Sequence, residues 1–183
     1  MAAIKHTLVA LVEDKPGVLN RVSSLIRRRG FNIDSIAVGH SESPGFSRMV
    51  IVVDGATTAV EQVRKQLDKI IRVVKVTDIS DESIVARELA LIKVESNSDT
   101  RSEIMQVSNI FRGNIVDVAP DSIIIEATGD EAKIDSLIEL LRGFGIIELA
   151  RTGRIAMTRG ALGPLRKPQV KPKRQKSKER DIL

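Results

Sequence analysis

The sequence contains no cysteine, tryptophan or tyrosine, and only four phenylalanines and two histidines among its 183 residues. Without cysteine, the chain cannot form disulfides, thiolate metal sites or a cysteine nucleophile. Neither His6 nor His40 has neighbours at metal-ligand spacing, and no serine lies in a nucleophile elbow. A Gly-x-x-x-x-Gly-Lys phosphate-binding loop is also missing. These absences disfavour an enzyme.

Long apolar runs are missing as well. No stretch is long enough to span a membrane, and the N-terminus lacks the charged and apolar regions of a signal peptide. We therefore expect a cytoplasmic location with no membrane partner. Because aromatic residues are so few, the core must be built from isoleucine, valine and leucine.

The net charge of +5 is unevenly distributed. Residues 161–183 contain eight basic and two acidic residues and three prolines, so this segment carries +6 and the first 160 residues carry −1. A segment of that composition cannot bury a core, and we expect it to be a disordered basic tail.

Hydrophobic periodicity in the first part of the chain predicts a β-α-β-β-α-β unit. The predicted elements are a strand over 6–13, a helix at about 17–30, a hairpin of strands 32–38 and 46–53, a helix opening at Thr57 or Thr58, and a strand over 73–76.

The same order then returns. It comprises a strand over 88–94, a helix over 100–112, strands 115–118 and 122–127, a helix over 130–141, and strand-like segments 145–149 and 154–157. A repeat of this length indicates two copies of one module rather than a solenoid. The fold class predicted is α+β, with two tandem ferredoxin-like modules. We place the first domain at 4–78, a polar linker at 79–87, the second domain at 88–160 and the tail at 161–183.

The turn Asp14-Lys15-Pro16-Gly17 is the candidate site. It joins a strand to a helix whose first N–H groups lack intrahelical partners, and such an end attracts anions. Gly17 permits a ligand to lie directly against the backbone. The equivalent turn of the second module, Glu95–Asp99, has no Pro-Gly pair, so only the first module is expected to bind.

Four segments, in matching order and spacing, resemble a known protein family. Within the β-α-β-β-α-β unit, Asp14–Leu19 resembles the turn of ACT domains, which bind amino acids to regulate metabolic enzymes. Together, the segments Gly17–Val22, Arg29–Ile33, Ser47–Met49 and Ile110–Gly113 resemble the small regulatory subunits of acetolactate synthase. The resemblance covers about residues 4–160, so the N-terminal module corresponds to the ACT domain and the second module is ACT-like.

The resemblance implies a non-catalytic regulatory subunit in branched-chain amino acid biosynthesis. Its partner would be the catalytic large subunit, which it activates and makes sensitive to feedback inhibition by valine, leucine or isoleucine. No cofactor is expected in this chain, whereas thiamine diphosphate, magnesium and FAD are expected in the catalytic partner.

ACT domains of this family pair side by side as a homodimer, with the effector between the first helix of one protomer and the second strand of its neighbour. Carried over by position, the resemblance assigns the following effector-binding residues: Asp14, Gly17, Val18, Leu19, Asn32 and Ile33. Many family members carry asparagine where this chain has Asp14. No catalytic and no metal-binding residue is assigned.

Two other functions fit parts of the sequence. One is a free-standing amino-acid sensor. The other is a nucleic-acid-binding regulator that acts through the basic tail. Single-strand RNA binders share this element order but stack bases on paired sheet aromatics, and here the four phenylalanines are scattered. A nucleic-acid partner is therefore disfavoured.

Overall fold

A computed structural model describes residues 5–160, together with Gly163 and Leu165. The predicted disordered tail lies outside the described residues, apart from Gly163 and Leu165. In the first module the elements are β1 (Lys5–Glu13), α1 (Val18–Arg28), β2 (Ile33–His40), β3 (Phe46–Asp54), α2 (Thr57–Leu67) and β4 (Val73–Asp78).

The second module follows with the same element order. It contains β5 (Ile84–Glu95), α3 (Arg101–Ile110), β6 (Asn114–Val118), β7 (Ser122–Gly129), α4 (Glu131–Leu141), a short 3-10 turn (Arg142–Phe144), β8 (Ile146–Arg151) and β9 (Ile155–Thr158). The strand orders are β2-β3-β1-β4 and β6-β7-β5-β8, with every pair antiparallel. The prediction of two tandem ferredoxin-like modules is therefore confirmed.

Each sheet buries one face against its two helices. In β1, alternate residues Leu8, Ala10 and Val12 point into the first core, because side chains alternate across a strand. The helix α1 adds Val18, Val22 and Ile26, which recur at helical spacing along one face. This aliphatic packing fixes both ends of α1 relative to the sheet.

The connection between the modules differs from the prediction. Residues 79–87 read as a polar linker, yet Ile84–Arg87 belong to β5 and pair with β9. The cause is tertiary pairing. The sequence around Asp81 and Glu82 is polar, but Ile84–Arg87 pair with β9, a strand about 70 residues further along the chain. Ile79, also within the predicted linker, is fully buried.

The β5–β9 ribbon (residues 84–87 and 155–158) packs on the face of the first sheet that points away from the helices. Its inward residues Ile84, Ala86 and Ala156 contact the first module, where they join Val9 and Val50. Ile79 and Leu165 belong to the same cluster. The back of the first sheet is thus part of an apolar junction between the modules.

Ion pairs close the rim of this junction. Lys5 Nζ lies 3.0 Å from Asp34 Oδ2 and 2.6 Å from Glu131 Oε1. Arg154 pairs with the other Glu131 oxygen, and its Nη1 donates to Thr7 Oγ1 at 3.0 Å. The hydrogen bond from Lys5 lowers the pKa of Glu131. Residues of both modules therefore share one charged network.

Candidate functional site

The turn before α1 is held by backbone contacts rather than by its own side chains. The Asp14 N–H donates to the Gly45 carbonyl at 2.9 Å, and Arg72 Nη1 donates to the Pro16 carbonyl at 3.3 Å. Gly17 has φ +83°, a left-handed conformation that other L-residues adopt only at a cost. Its open side has no heavy atom within 4 Å of where a Cβ would stand.

The N-terminal end of α1 has free hydrogen-bond donors. No side chain caps it, and its first turn contains no acidic residue. The Val18 N–H reaches the Lys15 carbonyl only at 3.5 Å, while the N–H groups of Gly17 and Leu19 find no acceptor among the described residues. Such an end favours an anion through both its donors and the helix dipole.

Val18 and Leu19, which are adjacent in sequence, point to opposite environments. The Val18 side chain is 2% exposed and belongs to the core, so it can offer a ligand only its backbone. Leu19 is 47% exposed and extends an apolar surface from the first turn of the helix. This pair combines donors for a carboxylate with a contact for an aliphatic side chain.

Asp14 has a neighbour that sequence reasoning missed. His40 Nδ1, at the end of β2, lies 3.4 Å from Asp14 Oδ2, and both side chains are exposed. Only the register of the β2–β3 hairpin against β1 brings His40 to the turn, and no local motif signals this contact.

Asn32 and Ile33 lie at the other end of α1. The helix has eleven residues, which at 1.5 Å per residue separates its ends by about 16 Å. Asn32 is exposed and Ile33 is partly buried. They line a groove of about 450 Å³ along α1, with the remaining walls formed by Asn20, Ser23, Ser24, Arg27 and Phe31. A single chain therefore does not bring the two halves of the predicted site together.

The matching turn of the second module is closed. Asn97 Oδ1 accepts hydrogen bonds from the N–H groups of Asp99 and Thr100, each at 2.9 Å. The N–H of Thr100, the residue before α3, is therefore satisfied, whereas that of Gly17 before α1 has no acceptor among the described residues. The first turn of α3 also contains the acidic Glu103, which disfavours an anion there. The two modules share a fold but differ in their capacity to receive an anion.

Clusters of metal-binding side chains and membrane-spanning helices are both absent from the described part of the chain. Residues 5–160 contain no cluster of three or more His, Cys, Asp or Glu side chains that could hold a metal ion. The helices within this range are also too short or too polar to cross a membrane.

Comparisons with known proteins agree on one family. A family model described as the AHAS small subunit-like ACT domain matches residues 8–75, and one described as the small subunit of acetolactate synthase matches residues 87–160. The crystal structure of the acetolactate synthase small subunit from Thermotoga maritima superposes with a TM-score of 0.80 at 46% identity. It covers 87% of this chain and 99% of its own.

Relatives by sequence are similar over nearly their whole length. A protein of Methanothermobacter thermautotrophicus that bears the name probable acetolactate synthase small subunit is 56% identical, over 85% of this chain and 94% of its own. The acetolactate synthase small subunit of Mycobacterium bovis is 49% identical, over 89% and 97% respectively. The chain belongs to the acetolactate synthase small-subunit family, whose members are ACT-domain regulatory subunits.

Proposed function

We propose that this chain activates the catalytic large subunit of acetolactate synthase and confers feedback inhibition by valine, leucine or isoleucine. The observation that carries the effector site is the uncapped start of α1, where free N–H groups adjoin the exposed Leu19 side chain. Catalysis resides in the large subunit, where thiamine diphosphate, magnesium and FAD would be held.

A second copy of the chain would complete the effector site. Among the described strands, β2 is at the edge of its sheet and pairs with β3 alone. It starts beside the C-terminal end of α1 and ends at His40, next to Asp14. A two-fold axis beside the middle of β2 would therefore set Asn32 and Ile33 of one protomer against the Gly17 turn of its partner. This is the homodimer that the family resemblance implies.

Each assigned residue has a chemical task in this arrangement. N–H groups from Gly17 to Leu19 would hold the effector carboxylate, with each such bond contributing about 1.5–3 kcal/mol before losses. The Asn32 side-chain amide offers both a donor and an acceptor, and Asp14 would attract the ammonium. Leu19 and Ile33 would enclose the branched side chain.

Inhibition requires that the effector bind one arrangement of the complex more tightly than another. An effector with equal affinity for both arrangements would not change the equilibrium between them. A ligand of valine's size held by these groups should bind with a dissociation constant from about micromolar to millimolar.

Gly17→Asp tests the assignment. The added carboxylate would stand where the effector carboxylate belongs, so valine binding by calorimetry and valine inhibition should both be lost. Folding and activation of the large subunit should be largely retained: no atom lies within 4 Å of the new Cβ, and the strain of a left-handed φ at a non-glycine residue should lower stability without unfolding the chain.

Gly160→Asp is the matched control. Gly160 has φ +85° and an equally open side, so the substitution adds the same charge and backbone strain away from the site. Wild-type heat of valine binding in Gly17→Asp would contradict the proposal.

A further inference from the structure

A second groove lies at the junction of the modules, on the opposite face of the first sheet from α1. Its volume is about 350 Å³. Ala37 and Gly39 of β2 stand opposite Val50 and Arg48 of β3, and all four line the groove, together with Ile155 and Met157 of the β5–β9 ribbon. None of these residues belongs to the candidate effector site.

The ribbon side of the groove is unusually apolar for a surface. Ile155 is 57% exposed, Met157 63% and Val85 37%, and the three side chains are neighbours across the β5–β9 pair. Among the described strands β9 pairs with β5, and the Ala156 carbonyl accepts a hydrogen bond from Arg48, so the ribbon offers another chain its exposed apolar side chains. Clustered exposed apolar side chains of this kind mark protein interaction sites.

Arg48 gives the groove its charge. Its only side-chain hydrogen bond within the described part of the chain runs from Nη2 to the Ala156 carbonyl at 3.1 Å. Its Nε is buried without a partner, and no described carboxylate lies within ion-pair distance. Burial lowers the pKa of the guanidinium, an effect that the more distant Glu42 partly offsets.

The rest of the lining agrees in sign with Arg48. The other charged side chain along the groove is Arg87, and the lining contains no aspartate or glutamate. An apolar groove with a partly buried, unpaired cation is complementary to a segment that carries a carboxylate among apolar side chains. Arginine and methionine are also enriched at protein interfaces.

We propose that this groove is the docking site for a segment of the catalytic large subunit that presents an acidic side chain beside apolar ones. The carboxylate would pair with Arg48 and the apolar side chains would pack between Ile155 and Met157. This inference rests on the proposed function and adds to it the surface through which the two subunits meet.

Two variants of the full-length chain test the docking site. In Gly39→Leu, the new side chain points into the groove from the face shared with Arg48, and neither backbone strain nor any atom within 4 Å opposes it. Arg48→Gln removes the charge. Gly143→Leu is the matched control, since Gly143 is equally open but lies in the second module.

The measurement is the affinity of each variant for the intact large subunit, together with calorimetry of valine binding. We expect Gly39→Leu and Arg48→Gln to weaken large-subunit binding at least tenfold, with valine affinity unchanged and Gly143→Leu like wild type. Wild-type affinity in both groove variants would overturn the docking site while leaving the proposed function intact.

Two other outcomes are distinguishable. Gly39 lies on β2, the proposed dimer edge, so the oligomeric state is compared in Arg48→Gln, whose residue lies on the inner strand β3. If Arg48→Gln changed the oligomeric state of the free chain, the groove would be an interface between copies and the docking site would be overturned. If the wild-type chain itself failed to bind any large subunit, the proposed function and the docking site would fall together.

Discussion

At the scale of single residues, the candidate site depends on the different directions in which neighbouring side chains point at the start of α1. Val18 turns inward and anchors α1, while Leu19 remains exposed at the same helix end. Gly17 supplies the left-handed turn that leaves the first N–H groups open. Three consecutive residues thus have different roles: Gly17 leaves the backbone donors open, Val18 packs in the core and Leu19 offers an apolar contact.

Asn32→Ala should weaken valine binding by about tenfold or more, because a hydrogen bond to a charged group is worth about 1.5–3 kcal/mol. Asn32 is exposed, so the fold should tolerate the change. Calorimetry against Asn109→Ala, an exposed asparagine on α3, provides the comparison. Unchanged valine affinity in Asn32→Ala would exclude the residue from the site.

The sequence was informative about this turn because its signals are local. A strand, a Pro-Gly pair and a helical apolar period all lie within about 20 residues. The approach of His40 to Asp14 could not be predicted, since it depends on hairpin register. Nor could the free donors before α1 be told from the satisfied donors before α3 without side-chain geometry.

At the scale of elements, the order of strands and helices in both modules was predictable from periodicity alone. The strand-like segment predicted over 154–157 corresponds to β9, but the extension of β5 over Ile84–Arg87, which pairs with it, was not predicted. Four residues of alternating burial give a weak strand signal, and their partner strand is distant in sequence. The polar linker was predicted over 79–87, and its last four residues are instead part of β5, because tertiary pairing with β9 outweighed local composition.

Ile79→Ala tests whether the connection is packed structure. Ile79 is fully buried in the junction cluster, so its truncation should lower the free energy of unfolding by about 2–5 kcal/mol. Ile71→Ala, at a site 88% exposed, should change it by less than about 0.5 kcal/mol. Urea unfolding measures both, and equal stabilities would indicate that the junction contributes nothing.

At the scale of the whole molecule, the two modules are joined by an apolar junction and a charged rim. Asp34, which follows Ile33 directly, pairs with Lys5, and Lys5 in turn pairs with Glu131 of the second module. The start of β2, where half of the proposed effector site lies, is therefore adjacent to the contact between modules.

Glu131→Gln should reveal how the stability contributed by these ion pairs depends on pH. Because the pKa of Glu131 is lowered from 4.5, its stabilisation is complete above about pH 4.5 and is lost as the pH falls through the lowered value. At pH 7 the variant should melt about 2–4 °C below wild type, equivalent to about 1 kcal/mol.

The difference in melting temperature should shrink in acid, where wild-type Glu131 is protonated as well. Glu148→Gln serves as the control, since Glu148 is exposed and forms no ion pair with any described residue. A melting difference that stayed constant from pH 7 to pH 3 would contradict the role of the Glu131 charge.

The most direct test of the whole account is an assay of acetolactate synthesis by a catalytic large subunit, with and without this chain, across a valine titration. We predict that the chain raises the rate and that valine then lowers it in a saturable manner, whereas the large subunit alone responds little. An unchanged rate on adding the chain, or an activated rate indifferent to valine, leucine and isoleucine, would contradict the account.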